Sequence, residues 1–182
     1  MPSDRDTATN RLPLTYAALG LLMAGPRHGY ELHNEFTEQF GTIWRAGRSQ
    51  FYAALKSLET EALVESVVVE QEKRPSRKIL TLAPAGREAF LAWLAMPISH
   101  IREIRVEFLA KLHFHRILAL PDAVALIDAQ SNVCRDRLQR LKEELDAPTS
   151  QCDPFCELVY DFRRRQIGAI IDWLEECRRR YA

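Results

Sequence analysis

Apolar positions recur at helical spacing along most of this chain and switch to a different pattern in one short region. Pro13 suits a first helical turn, and Leu14, Ala17, Ala18, Leu21 and Leu22 follow it to a stop at Gly25-Pro26. Apolar residues surround this helix on nearly every side, so it is expected to pack against more than one neighbour. A second helix opens at His28-Gly-Tyr-Glu-Leu32, with Tyr30, Leu32 or His33, Phe36 and Phe40 inward, and ends at Gly41. After Trp44 comes a third helix. Ser49 stands where a hydroxyl can cap it, and Phe51, Leu55, Leu58 and Ala62 repeat along one face. Its opposite face carries Ser49, Gln50, Ala53, Lys56 and Ser57, small or polar and without an acid, and Arg45 and Arg48 frame its start.

The pattern then changes. Leu63 to Val69 is rich in β-branched residues and predicts a strand, and Arg77 to Leu82 predicts a second. Between them, Glu70 to Ser76 is polar, contains a proline and reads as a hairpin tip. Lys73, Arg74, Arg77 and Lys78 bring four cations to it within six positions. Pro84 to Leu94 returns to helical spacing, with Phe90, Trp93 and Leu94 apolar. Two helices, a turn, a polar-faced helix and a strand–tip–strand unit make a winged helix-turn-helix. Helices of this kind enter a major groove, and basic wing tips meet phosphates or the minor groove.

The second half predicts helices only. Glu103–Leu118 places Ile104, Phe108, Leu112 and His115 on one face; a long helix runs from Pro121 to Asp146; residues 147–150 turn; and Phe155–Arg180 forms the last helix. In that helix Phe155, Val159, Phe162, Gln166, Ala169 or Ile170, Trp173 and Cys177 alternate four and three apart, as in a coiled-coil seam. A second strip through Leu158, Ile167, Ile171 and Leu174 widens the face beyond what a three-helix tail buries on itself, so a second copy is expected there, with Phe155, Val159, Phe162, Ile170 and Trp173 in the dimer interface. The expected fold is mainly α with a small two-stranded β wing. It comprises a flexible N-terminus (1–12), a winged helix-turn-helix domain (13–96) and a C-terminal antiparallel helical dimerisation domain (97–182).

Composition adds constraints. The 182 residues carry 25 Lys/Arg and 25 Asp/Glu, so no overall basic charge marks a nucleic-acid binder. Any DNA contact must come from local clusters, which keeps a winged helix used only for protein interaction in play as the alternative. Cys134, Cys152, Cys156 and Cys177 have no paired CxxC and no histidine at finger spacing, and are expected as reduced thiols of a cytoplasmic protein rather than metal ligands. The Leu12–Gly25 run is interrupted by Pro13, Thr15 and Tyr16, so it is expected as a packed helix rather than a signal peptide or membrane span. There is no GxSxG, HExxH or P-loop, and no catalytic set or cofactor site is expected.

Leu19-Gly-Leu-Leu22, Pro26-Arg-His-Gly-Tyr-Glu-Leu32, Ser49 to Glu59, Ala62-Leu-Val64, Arg74-Pro-Ser-Arg-Lys78, Leu82 and Ala85-Gly86 together resemble the PadR family of transcriptional regulators over residues 13–95. The C-terminal half is similar in length and helical pattern alone. The chain departs from the family at Ala53, where proline is usual, at Ala62, where glycine is usual, at Ile79-Leu80, in place of an aromatic pair, and at Ala83, in place of threonine. The resemblance implies a homodimeric repressor that reads a pseudo-palindromic operator in double-stranded DNA and releases it when a small, often aromatic, effector binds. It assigns Ser49, Gln50 and Tyr52 to DNA at the start of the reading helix, Lys56 to phosphate, and Lys73, Arg74, Arg77 and Lys78 to the wing. The residue chemistry is compatible: Gln50 can pair with adenine, Arg48 with guanine or phosphate, and lysines neutralise phosphate. Tyr16, Phe36, Trp93, Phe108, Phe162 and Trp173 are the candidate aromatic walls of an effector pocket.

Overall fold

Helix α1 (Pro13–Leu22) is the axis of the N-terminal part: every residue from Leu14 to Leu22 is buried, as its all-round apolar pattern requires. The computed structural model describes residues 13–71, 74–146 and 153–182, with the backbone alone at 69–71 and 74–77. Gly25, at φ +129°, turns the chain into a two-residue strand β1 (Arg27–His28) that precedes α2 (Gly29–Phe40). Helix α3 spans Arg48–Thr60, strands β2 and β3 span Val64–Gln71 and Arg74–Leu82, and α4 spans Pro84–Ala95. The sheet is antiparallel in the order β1-β3-β2, with Arg27 opposite Leu80 and Val67 opposite Ile79. It thus has three strands rather than the expected two. Two residues between a glycine turn and a helix carry no periodicity, and β1 exists through its pairing with β3. The strands also run further than expected, leaving only residues 72–73 between them, outside the described residues.

The core is aromatic. Phe36, Phe40, Phe51, Phe90 and Phe114 are almost fully buried, and Phe114 sits 5.2 Å from Phe40 and 5.1 Å from Phe90 between ring centroids. Gly20 makes room for this: a Cβ there would lie 2.4 Å from Phe114. Tyr30, expected inward, is 57% exposed, and Leu32 takes the inward position.

After α4 the chain does not form one helix from Glu103. A 3-10 turn (Ile101–Glu103) leads into a π-helical stretch (Ile104–Phe108), and α5 (Leu109–Ile117) follows. By their contacts the residues form two compact units, one running to Met96 and including Arg105–Leu120, the other made of Pro97–Ile104 and Pro121 onward. The expected division at 96/97 therefore differs for α5, whose Ala110 and Phe114 belong to the N-terminal core. In the first unit Lys111 is also buried. Its Nζ donates to the Met96 carbonyl at 2.6 Å, lies 3.3 Å from Glu107 and faces the Trp93 ring at 4.8 Å.

In the second unit, α6 (Ala123–Asp146) and α7 (Pro154–Tyr181) pack antiparallel, tied by Arg178–Asp128 at one end and Arg135–Glu175 further along. Asp153 caps α7 by accepting from the Cys156 N–H at 2.8 Å. Gln130, fully buried, clamps the Pro97–Ile104 segment onto α6. Its Oε1 accepts from the Ile98 N–H at 2.6 Å and its Nε2 donates to the Ile98 carbonyl at 3.1 Å. Helix α7 buries Ile167, Leu174 and Cys177. On the expected seam, Phe155 and Phe162 are 73% and 65% exposed, as is Leu158 of the second strip at 67%, while Val159, Ile170 and Trp173 are half-buried. Cys134 and Cys177 are free, but Cys156 is disulfide-bonded, so the expectation of reduced thiols does not extend to it.

Candidate nucleic-acid interface

Helix α3 starts at Arg48, one residue ahead of the expected cap. Gly47 occupies the cap position, and the Gln50 side chain reaches back to accept from the Gly47 N–H at 3.2 Å. Ser49 is thus a first-turn residue rather than the cap. Phe51, Ala54, Leu55 and Leu58 pack inward, whereas Arg48, Ser49, Gln50, Tyr52, Ala53, Lys56 and Ser57 are exposed. From Arg48 to Ser57 this outward face has no acidic residue and carries two cations, and at its C-terminal end the Ser57 hydroxyl donates to the Glu61 carboxylate at 2.8 Å. Arg45 is exposed in the preceding turn. The Gln50 bond to Gly47 fixes the direction of its carboxamide while leaving the second carbonyl lone pair and the NH2 available to a base edge.

Two residues of α2, Gly29 and Tyr30, adjoin this face. The Arg48 guanidinium lies 5.8 Å from the centre of the exposed Tyr30 ring, a cation–π contact that orients the arginine at the helix start. Tyr52 runs beside Gly29, where a Cβ would come within 3.1 Å of its ring. Tyr30, Tyr52 and Lys56, together with His28, Glu59 and Lys78, line an open groove of about 1200 Å³ between α2, α3 and β3.

The wing cations divide into three cases. Lys73 lies outside the described residues. Arg74 and Arg77 lie in β3 itself, opposite Gln71 and Val69, rather than in a tip. Lys78, opposite Val68, has its ammonium against the α3 carboxylate Glu59, at 2.6 Å from one oxygen and 2.8 Å from the other. Burial acts to raise the Glu59 pKa, but hydrogen bonds from Lys78 and Ser66 and the Lys78 charge outweigh it and hold the carboxyl below its ordinary range. The Lys78 carbonyl also sits 3.1 Å from Nδ1 of His28. Glu59 was given no role in the sequence pattern and Tyr30 was expected inward, because each acts across elements, through the β3 register and the α2–α3 crossing.

The expected effector aromatics are divided between the two compact units. Tyr16 and Trp93 stack at 4.8 Å in the first unit, where Phe36 and Phe108 are also buried. Phe162 and Trp173 belong to the second unit.

Residues 18–92 match the Transcriptional regulator PadR-like family, and residues 104–182 match the Virulence activator alpha C-term model. The chain is 30% identical over 132 residues to the Negative transcriptional regulator PadR of Bacillus subtilis, covering 72% of this chain and 69% of that one. It belongs to the PadR-like family of transcriptional regulators. A probable transcriptional regulator of Mycobacterium tuberculosis is 28% identical over 91% of this chain and 95% of its own length. Bacillus subtilis PadR has been solved with operator DNA (28% identity, 90% of this chain and 95% of that one, TM-score 0.46) and with p-coumaric acid (28%, 93% and 99%, TM-score 0.43). As a PadR-like regulator the chain is a winged-helix, DNA-binding protein, and among the described residues no helix is long and apolar enough to cross a membrane.

Proposed function

We propose that this PadR-like regulator is a homodimeric repressor that inserts α3 into the major groove of a pseudo-palindromic operator. The observation that carries the reading is the outward face of α3, exposed and free of acid from Arg48 to Ser57 while the opposite face is locked into the core. Arg48 and Gln50 are assigned to base edges, and Ser49, Tyr52, Lys56 and Arg45 to backbone phosphates. In the wing, Arg74 and Arg77 supply further phosphate contacts, and Lys78 holds the strand to α3. Kinship with the negative regulator of Bacillus subtilis supports the repressor sense, and that protein's structure with p-coumaric acid supports a small effector, which here would release the DNA. The exposed Phe155 and Phe162 on α7, with Leu158 beside them, support pairing with a second copy.

The test is a fluorescence anisotropy titration of the protein against DNA upstream of its own gene, at two salt concentrations. Binding that weakens steeply with salt, as phosphate contacts require, is expected. Absence of binding at low salt to every upstream fragment would refute the reading and favour a protein-interaction role.

A further inference from the structure

Helices α6 and α7 carry nine arginines, and most are matched to a carboxylate. Arg135 meets Glu175, Arg164 and Arg165 meet Asp161, Arg178 meets Asp128, and Arg179 and Arg180 meet Glu176. Among the described residues Arg137, Arg140 and Arg163 have no ion-pair partner, and all three line the same cavity of about 680 Å³ in the second unit. Arg137 and Arg140, three apart, share a face of α6, and Arg163 comes from α7. A fourth guanidinium, that of Arg102, stands at the edge, 3.9 Å from Glu103. Asp136 is the one carboxylate among the lining residues. Positive charge therefore exceeds negative charge there, in a unit where the other α6 and α7 guanidiniums are neutralised locally.

Part of the lining is apolar. Ile98, Leu141 and Ile167 are each less than 5% exposed and contribute to the cavity. The wall bearing Ile98 is fixed, because Gln130 holds both the N–H and the carbonyl of that residue. A recess lined by apolar side chains and by three arginines without an ion-pair partner fits a ligand with an apolar body and an anionic head. The volume lies within the range of small-molecule sites, and arginine forks suit phosphate oxygens in bidentate geometry.

We propose that this cavity binds a soluble organic phosphate monoester, its apolar body on Ile98, Leu141 and Ile167 and its dianionic head between Arg137, Arg140 and Arg163. The cavity belongs to the second unit and the DNA-reading face to the first, and the proposal does not depend on the repressor reading.

Isothermal titration calorimetry of the full chain with 2-naphthyl phosphate, 2-naphthol and inorganic phosphate tests it. The ester should bind at least about ten-fold more tightly than either of the others, since each supplies only half of the recognition. Changing Arg137, Arg140 and Arg163 together to Gln should remove that advantage, with helical circular dichroism unchanged because all three are exposed. The double variant Arg164→Gln, Arg165→Gln, whose arginines are occupied by Asp161, should bind as the wild type does. Equal affinity for ester and naphthol, or ester binding that survives the triple change, would overturn the proposal. So would a triple variant whose sedimentation shifts from dimer to monomer, since the guanidiniums would then be meeting acids of a second copy.

Discussion

At Gly86 a missing side chain decides how α4 docks. A Cβ there would fall 2.1 Å from the Leu63 carbonyl oxygen, which also accepts the Ala83 N–H at 3.1 Å. The colliding atom is backbone and cannot rotate away, so Gly86→Ala should destabilise the protein by roughly 2–3 kcal/mol, at the upper end for overpacking, as a lowered urea midpoint with an unchanged slope. Ala62 shows the reverse case. It sits at φ +54° just after α3, with the Leu63 N–H donating to the Leu58 carbonyl at 2.9 Å, a helix end that favours glycine at this position. Ala62→Gly should therefore raise stability by about 1 kcal/mol, seen as a higher thermal midpoint. Both positions were legible as motif residues, Gly86 by presence and Ala62 by departure. Their reasons were not, because a backbone contact between Leu63 and α4 and a positive φ leave no periodic trace. Lys111 was hidden for another reason: a lysine whose ammonium finds a carbonyl, a carboxylate and a tryptophan face takes a core position that hydrophobic patterning excludes.

Among the elements, the reading helix and the wing are coupled through one ion pair. Local spacing located α3 and most of its inward face, since burial on one side enforces the 3.6 period, but Ala62, expected on that face, is exposed beyond the helix end. It could not reveal that β3 runs back beside the end of α3 and commits Lys78 to Glu59, which depends on strand register. Two consequences separate Lys78 from Lys56. If Lys56 contacts phosphate, Lys56→Ala should reduce the magnitude of the slope of log affinity against log salt by about 0.9, while Lys78→Ala should leave it nearly unchanged because its charge is already matched. The comparison is made by anisotropy on one operator fragment over a series of salt concentrations, and equal losses of slope would show that Lys78 also neutralises phosphate. The second consequence concerns pH. The Glu59 carboxyl lies below its ordinary range in the folded chain, so the unfolded chain binds its proton first as pH falls. The pair's contribution, less than about 1 kcal/mol for a partly exposed pair, is present above the unfolded carboxyl pKa and lost as pH falls through the folded one. Urea midpoints measured between neutral pH and pH 3 should accordingly fall less steeply for Glu59→Gln than for the wild type.

For the whole molecule, the question is how a chain with no net charge holds a polyanion. In the proposed complex each copy of the chain offers Arg45, Arg48 and Lys56 around α3 and the backbone positions of Arg74 and Arg77 in the wing, too few for tight binding by one copy. A two-fold dimer doubles these contacts and imposes the half-site spacing, so affinity and assembly should fail together. The helical repeat of α7 announced an apolar surplus but not its division. Ile167, Leu174 and Cys177 are buried, whereas Phe155, Leu158 and Phe162 remain uncovered at spacings of three and four residues. Covered and uncovered positions of one helix share the same period, which is why both expected strips mix them: Cys177 of the seam and Ile167 and Leu174 of the second strip are buried, while Phe155 and Phe162 of the seam and Leu158 of the second strip are exposed. Leu158→Glu with Phe162→Glu should leave the monomer folded, since both side chains are exposed, yet place like charges in the isologous contact and strip it of apolar groups worth about 1.5–3 kcal/mol each. The expected result is a shift to monomer in sedimentation at micromolar concentration, accompanied by a loss of operator affinity of at least about a hundred-fold. Retained dimer with full operator binding would move the interface to another face of the second unit. Monomer with undiminished operator binding would show that one reading head suffices.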